Sequence, residues 1–217
     1  EADEEDFEDV NVDPSSVSRD PELLPADREF SGPLFSFQRL ERDFLSINFV
    51  DRFERVEDFN LGNDFTLSAQ IAPEALGSIR DTLLVKSYIS DGWRPTPTSF
   101  LRGELRGSVR SDDDGLSNVL AGVDLKYFNV LGAVLPRGIY LGKHTLASAF
   151  SIDYGDDFDK DYELVLGASN GLRGYSDRTF VGSQRMVLNL EDRFHVVEDV
   201  LRLFNIGGAV FFDGGGT

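Results

Sequence analysis

The sequence predicts an all-β protein whose antiparallel strands form a transmembrane β-barrel. From Leu34 onward, apolar and polar residues alternate with a period of two, which is typical of strands with one apolar and one polar side. The predicted strands exceed the about five or six residues usual in soluble sheets, whereas tilted membrane strands need about 9–11. No apolar run approaches the about 20 residues of a membrane helix. A membrane-spanning structure would therefore have to be built from strands.

About ten strands are predicted, separated by turn-like sequences such as SDDDG and LPRG. In chain order they are segments 34–40, 45–55, 60–71, 81–90, 98–110, 116–129, 141–155, 160–168, 184–196 and 204–213. Segment 98–110 illustrates the pattern, since Arg102, Glu104 and Arg106 oppose Leu101 and Leu105. Helical periodicity is almost absent, and PEALGSIR predicts at most one helical turn.

The first 29 residues differ from the rest of the chain, with 12 acidic and 2 basic residues and few large apolar side chains. Such a segment cannot bury much surface, so residues 1–29 are predicted to be flexible and residues 30–217 to form a partial barrel. Cation binding by these carboxylates is the alternative interpretation. It has no support from ligand spacing of the EF-hand kind.

Composition limits the chemistry. The net charge of −18 argues against a nucleic-acid partner, which requires a basic face. The absence of cysteine excludes disulfides and thiolate metal sites, and two histidines are too few for a multi-histidine centre. We predict no metal site, no cofactor and no catalytic residues, and hence a protein that is not an enzyme.

Three features were weighed as alternative sites. His144 and Ser148 share one strand face, as a hydrolase would need, but that face is apolar and predicts an interfacial histidine. His195 is predicted to be a surface histidine at a strand end. The carboxylate-rich turn DYGDDFDKDYE, residues 153–163, is predicted to be a solvated outer loop, with calcium binding as its alternative.

A more specific signal lies in GLRGYSDRTFVGSQRMVLNLEDRF, followed by GGAVFFDGGG. It contains an R-G-Y loop tip, a strand of the N-x-E-x-R type and an F-x-D-x-G sequence. Their residues are Arg173, Gly174 and Tyr175; Asn189, Glu191 and Arg193; and Phe211, Asp213 and Gly215. Strand alternation places Glu191 with Val187 and Asn189, and Asp213 with Phe211, opposite the apolar residues. Both carboxylates are therefore predicted to point to the polar side.

These three motifs, in this order and spacing, resemble the C-terminal barrel of the outer-membrane assembly and translocation superfamily, the BamA/TamA-like bacterial surface antigen domain. The resemblance implies a sixteen-stranded antiparallel barrel in the bacterial outer membrane. It also implies that the protein inserts or translocates polypeptides, with outer-membrane lipids and client polypeptides as partners. Members generally carry periplasmic POTRA domains before the barrel.

The resemblance further implies that the loop after the eighth predicted strand folds back into the barrel lumen. There Arg173 would be held by Glu191 and Asp213, and arginine suits this role because its planar fork can bind two carboxylates. The other residues expected at this structural or gating site are Gly174, Tyr175, Asn189, Phe211 and Gly215. An internal brace without any role in assembly is the alternative.

The sequence departs from the family in having no POTRA-like βααββ pattern and in ending at FFDGGGT rather than in an aromatic residue. The chain is therefore expected to be a segment of a larger barrel protein, with sixteen strands as the resemblance implies. A partial barrel would leave open strand edges, which are unstable in a membrane. Two other functions remain open. One is a barrel that anchors or exports a fused patatin-like hydrolase, and the other is a soluble β-sandwich binding module.

Overall fold

A computed structural model describes residues 27–50, 55–134, 136–138, 140–200 and 204–217 of the chain. Over these ranges the protein is all-β, with strands joined by turns and short 3-10 segments. The strands are β1 (Leu34–Leu40), β2 (Phe44–Asn48), β3 (Val56–Asn60), β4 (Asp64–Ala72), β5 (Thr82–Thr96), β6 (Ser99–Asp112), β7 (Gly115–Ala133), β8 (Lys143–Asp156), β9 (Leu164–Leu166), β10 (Phe180–Gly182), β11 (Gln184–Val200) and β12 (Phe204–Gly216). Among the described residues, no helix combines the length and apolarity needed to cross a bilayer.

Eight strands form one antiparallel sheet in the order β1-β4-β5-β6-β7-β8-β11-β12. The hairpins β2–β3 and β9–β10 interrupt the chain order and form separate two-stranded sheets. In the described part of the chain, β1 and β12 are the two edges of the large sheet, and no pairing joins them. The predicted all-β, antiparallel fold is thereby confirmed.

The large sheet has an apolar face and a polar face, because its register aligns residues of one kind across neighbouring strands. One row on the apolar face consists of Ile89, Leu105, Val123, Ile152 and Met186. The adjacent row on the polar face consists of Tyr88, Arg106, Gly122, Asp153 and Arg185. The apolar face is the exposed one: Leu105, Val210 and Phe212 keep 51%, 67% and 59% of their surface.

The polar face is partly covered by two segments of the chain. The β2–β3 hairpin buries Val50 against Leu61 and Phe100, with Phe59 and Phe128 packed around them. The segment between β9 and β11 buries a second cluster, in which Leu166 and Leu172 contact Val187 of β11. The buried apolar residues of this sheet therefore lie beneath its charged side. Among the residues that the structure describes, nothing packs on most of the apolar face.

Two predicted strands are wrong. Segment 45–55 is not a strand of the large sheet, since β2 ends at Asn48 and residues 51–54 lie outside the described residues. It alternates because one side of the β2–β3 hairpin packs on the sheet and the other faces solvent. Segment 160–168 contains only the three residues of β9, whose leucines pack inward. The other eight predicted segments correspond to strands of the large sheet, and PEALGSIR contains one 3-10 turn, Glu74–Leu76.

Candidate functional site

The candidate site lies where the loop between β9 and β10 meets β11 and β12. This loop turns twice with backbone in the left-handed region, at Gly171 (φ 111°) and Gly174 (φ 101°), where glycine is favoured. Between these turns, Leu172 is buried against Leu166 and Val187. The apolar side chain thus anchors the loop, and the next residue, Arg173, is carried over the polar face.

Arg173 is held by two carboxylates. Its Nε and Nη2 donate to the two oxygens of Asp213, each at 2.9 Å, and its Nη1 donates to Glu191 Oε2 at 2.5 Å. Its backbone N–H also donates to Asp213 Oδ2 at 3.1 Å. We name Arg173, Glu191 and Asp213 the loop lock. The hydrogen bonds to Asp213 raise the pKa of the Arg173 guanidinium, so the cation is maintained throughout the physiological pH range.

Two further motif residues complete the surroundings of the loop lock. Asn189 Nδ2 donates to the Gly171 carbonyl at 2.6 Å and to Asp213 Oδ1 at 2.7 Å, which ties the turn to β12 through β11. The guanidinium carbon of Arg173 lies 3.7 Å from the centre of the Phe211 ring, a cation–π contact. Arg173 is thereby fixed at its edges by carboxylates and on one flat side by an aromatic ring.

Gly215 provides the space into which the loop packs. A Cβ at this position would lie 2.7 Å from the Met186 carbonyl oxygen and 3.2 Å from Leu166 Cδ2. A larger residue would therefore press against the β11 backbone and against the leucine side chains that anchor the loop. Tyr175, by contrast, is outside the loop lock: it is exposed, and its ring lies 5.5 Å from the ring of Phe180.

The structure therefore brings seven of the eight sequence-predicted site residues together. Strand alternation is the reason for the carboxylates, because Glu191 and Asp213 occupy polar-face positions on adjacent strands, two rows apart. Arg193 also belongs to the cluster: its Nε donates to Glu191 Oε1 at 2.6 Å, so Glu191 is shared between two arginines. The arrangement contains two cations and two carboxylates within one hydrogen-bonded chain.

A second ionic cluster on the polar face went unrecognised in the sequence. Asp153 is 1% exposed and accepts hydrogen bonds from Arg106 and Arg185, while Arg106 also contacts Asp124. The prediction that residues 153–163 form a solvated outer loop is therefore wrong at its start. Asp153 lies within β8, where the predicted segment 141–155 also placed it, beside Arg185 of the neighbouring β11 and within reach of Arg106 of β6 across Gly122. The signal available in the sequence was that Arg106, Asp124 and Arg185, like Asp153, occupy polar-face positions in the alternation of their predicted strands.

In the rest of the acidic turn Asp159 is half-buried, whereas Asp156, Asp157, Asp161 and Glu163 are exposed, as expected of an outer loop. Asp159 accepts two hydrogen bonds of 2.7 Å from Arg110 and one from Asn118. Arg28 reaches the same turn and donates to Asp161 at 2.7 Å. The bond with Arg110 is the main reason that the pKa of Asp159 lies below its ordinary value of 3.8. Arg110 and Arg28 thus pair with Asp159 and Asp161, and no cluster of potential metal ligands occurs in the described part of the chain.

The two histidines occupy opposite faces. His195 is 8% exposed and its ring lies 5.5 Å from that of Phe49, so the prediction of a surface histidine is wrong. Its burial results from the β2–β3 hairpin, which the sequence did not reveal. His144 lies beside Phe194 at the apolar face, with its Nδ1 2.8 Å from an oxygen of Asp192.

The loop lock consists of ion pairs between one arginine and two carboxylates. Its groups are arginine and carboxylates, which bind and release each other without a nucleophile or a transferred group. Asp213 is the principal acceptor, since it receives three of the four hydrogen bonds from Arg173. No family model, curated protein or solved structure matches the chain.

Proposed function

We propose that this chain forms part of the wall of a bacterial outer-membrane β-barrel of the BamA-like kind, which inserts or translocates polypeptides. The polar face would line the lumen and the apolar face would contact lipid. The loop lock would hold the loop that carries Arg173 inside the lumen and release it during the working cycle. Outer-membrane lipids and client polypeptides are the partners of this proposal.

The observation that carries the proposal is the unusual distribution of the two faces. In a soluble sandwich the apolar faces of two sheets pack together and the polar faces meet water. Here the charged face is the covered one, and a broad apolar face, including Leu105, Leu190 and Phe212, is exposed. Contiguous apolar surface of this extent is unusual on a soluble monomer and favours contact with a lipid phase.

The loop lock supports the second half of the proposal. Side chains on a lumenal wall can remain charged because they are solvated or paired. Arg173 is 41% exposed while its partner Asp213 is 5% exposed, so the arginine covers a carboxylate that would otherwise be buried and unpaired. Such a contact adds little net stability but fixes geometry, which suits a loop that must be positioned and then released.

The proposal is tested by replacing Arg173 in cells that depend on the protein for assembly or secretion of other polypeptides. Arg173→Ala should lower that activity while the protein itself still inserts into the outer membrane. Arg178→Ala is the matched control, because Arg178 lies in the same segment but its side chain is 69% exposed and contacts Glu163 at 3.4 Å. Unchanged activity with Arg173→Ala would make the loop lock a structural brace.

The two carboxylates provide a graded series for the same assay. Asp213→Asn should reduce activity more than Glu191→Gln, because Asp213 accepts three hydrogen bonds from Arg173 and Glu191 accepts one. Equal effects would contradict the assignment of Asp213 as the principal partner. If these variants insert into the membrane and keep client assembly but lose the export or anchoring of a linked hydrolase, the anchor function would be favoured instead.

A further inference from the structure

The β2–β3 hairpin is bound to the sheet through two consecutive backbone carbonyls. Thr145 Oγ1 donates to the carbonyl of Phe49 at 2.7 Å, and Arg193 Nη1 donates to the carbonyl of Val50 at 2.5 Å. Thr145 is 1% exposed, so its hydroxyl is dedicated to this contact. The sheet thus recognises main-chain acceptors, which every polypeptide has, rather than a particular polar side chain.

The same place also binds an aliphatic side chain. Val50 is 1% exposed and packs with Leu61 and Phe100. The sheet contributes an aromatic floor, in which the rings of Phe100 and Phe128 are stacked with centroids 5.1 Å apart. The hairpin contributes Phe59, whose ring lies 4.7 Å from that of Phe100. The site therefore fits an apolar residue whose own carbonyl and the preceding carbonyl both accept hydrogen bonds from the sheet.

The hairpin residue held most directly is also conformationally strained. Phe49 has a φ of 64°, in the left-handed region that a bulky aromatic residue seldom occupies. Successive carbonyls of an extended strand point to opposite sides, so a segment must turn at this position to offer both carbonyls to the sheet. A residue that adopts the left-handed region more readily than phenylalanine, such as glycine or asparagine, would bind with less strain. The hairpin is accordingly a ligand that a better-fitting segment can displace.

We propose that Thr145, Arg193 and the Phe100–Phe128 floor form a peptide-binding site, and that the β2–β3 hairpin occupies it as an internal ligand. The external ligand is an apolar polypeptide segment that turns between its two bound carbonyls, which rests on the proposed function because clients of that function supply such segments. Recognition of carbonyls and one aliphatic side chain makes the site tolerant of sequence. It therefore suits a protein that handles many different polypeptides.

The peptide site is connected to the loop lock through one carboxylate. Arg193 donates to Val50 through Nη1 and to Glu191 through Nε, and Glu191 also receives Arg173 Nη1. A ligand that moves Arg193 changes one of the two contacts that Glu191 makes with arginines.

The proposal is tested with the whole chain in detergent micelles and a fluorescent peptide of the sequence FLSINFV, which is that of residues 44–50. In the native chain the hairpin competes with the peptide. Phe59→Ala removes the hairpin's ring from the floor without altering the sheet's own groups, so the open fraction rises. The apparent Kd of the peptide should fall about tenfold, because the apparent affinity scales with the fraction of competent protein.

Adding Thr145→Val to Phe59→Ala should reverse that gain, since valine has the shape of threonine but cannot donate. Thr179→Val is the matched control, because Thr179 also donates to a backbone carbonyl, that of Ser176, in another part of the chain. A peptide whose last residue is replaced by aspartate should not compete. The proposal would be overturned if the apparent Kd were the same in the native chain, in Phe59→Ala and in the double variant, and if the aspartate peptide competed as well as FLSINFV.

A second measurement does not depend on the stability of any variant. Excess FLSINFV peptide should speed hydrogen exchange of the β3 amides, residues 56–60, in the native chain, because the hairpin is displaced as a unit. Unchanged exchange at saturating bound peptide would overturn the proposal. Failure of this binding leaves the Arg173→Ala result in cells unaffected, so it is distinguishable from failure of the proposed function.

Discussion

Arg173→Ala tests the energetic role of the loop lock most directly in the purified protein. The substitution removes three side-chain hydrogen bonds, at 2.9, 2.9 and 2.5 Å, and leaves Asp213 with only Asn189 and a backbone N–H as donors. Breaking a fully buried ion pair costs about 3–5 kcal/mol. Because Arg173 is 41% exposed, solvent screening reduces this to about 2 kcal/mol.

The assay is hydrogen exchange of the loop amides. Three amides should respond. The N–H of Leu172 donates to the Gly167 carbonyl, and that of Tyr175 donates to the Leu172 carbonyl. The N–H of Arg173 donates to the Asp213 carboxylate. A loss of about 2 kcal/mol in the free energy of local opening raises their exchange rate about 30-fold. Arg173→Lys should lie between the native protein and Arg173→Ala, because lysine cannot form the bidentate contact.

The reasoning would be refuted by loop exchange in Arg173→Ala that stays within about twofold of the native rate. It would also be refuted if Arg173→Lys matched the native protein, since the fork geometry would then be irrelevant. Arg178→Ala serves again as the control and should leave the exchange of these amides unchanged. An equal increase in that variant would indicate general loosening of the segment.

Two other predictions concern packing and pH. Gly215→Ala should loosen the same loop, because its Cβ would lie 3.2 Å from Leu166 Cδ2 and 3.5 Å from Leu172 Cδ2, the side chains that anchor the loop. Gly216→Ala should not, since its Cβ would have no atom within 4 Å. Hydrogen exchange of the loop amides compares the two variants, and equal effects would contradict the packing argument. Asp159→Asn should lower the free energy of unfolding by about 1 kcal/mol at neutral pH, through the lost charge-assisted bonds with Arg110. The folded-state pKa of Asp159 is below 3.8, so this contribution is present above that value and lost as the pH falls through the folded pKa. Denaturation at a series of pH values measures it, and a difference that persists at the lowest pH contradicts it.

Strand alternation explains why the loop lock could be predicted from the sequence. The side-chain direction of Glu191 and Asp213 follows from their position in continuous strands, and those strands are long enough for the register to be unambiguous. Arg173 followed from the resemblance, because nothing in local periodicity specifies where a loop tip comes to rest. Tyr175 shares the motif but not the contacts, and its exposed position follows from the turn at Gly174.

The β2–β3 hairpin shows what alternation cannot determine. Segment 45–55 has the same period as a strand of the large sheet, and its membership depends on which partner it pairs with across the chain. Its actual position decides the burial of His195 and gives Thr145 its acceptor. The burial of Asp153 could not be predicted for a related reason, since it depends on Arg106 and Arg185 in strands far apart in sequence.

The measurement that tests the central claim most directly is a cysteine scan of β11 in lipid vesicles. The chain has no cysteine, so each introduced thiol is unique. Thiols at Met186, Leu188 and Leu190 should resist a water-soluble maleimide. Fluorophores attached at these positions before insertion into the vesicles should be quenched by brominated lipids, whereas fluorophores at Val187, Asn189 and Glu191 should not. Alternation of lipid contact along β11 is the predicted result. Uniform labelling from water at both sets of positions would contradict the membrane-wall account and favour a soluble β-protein.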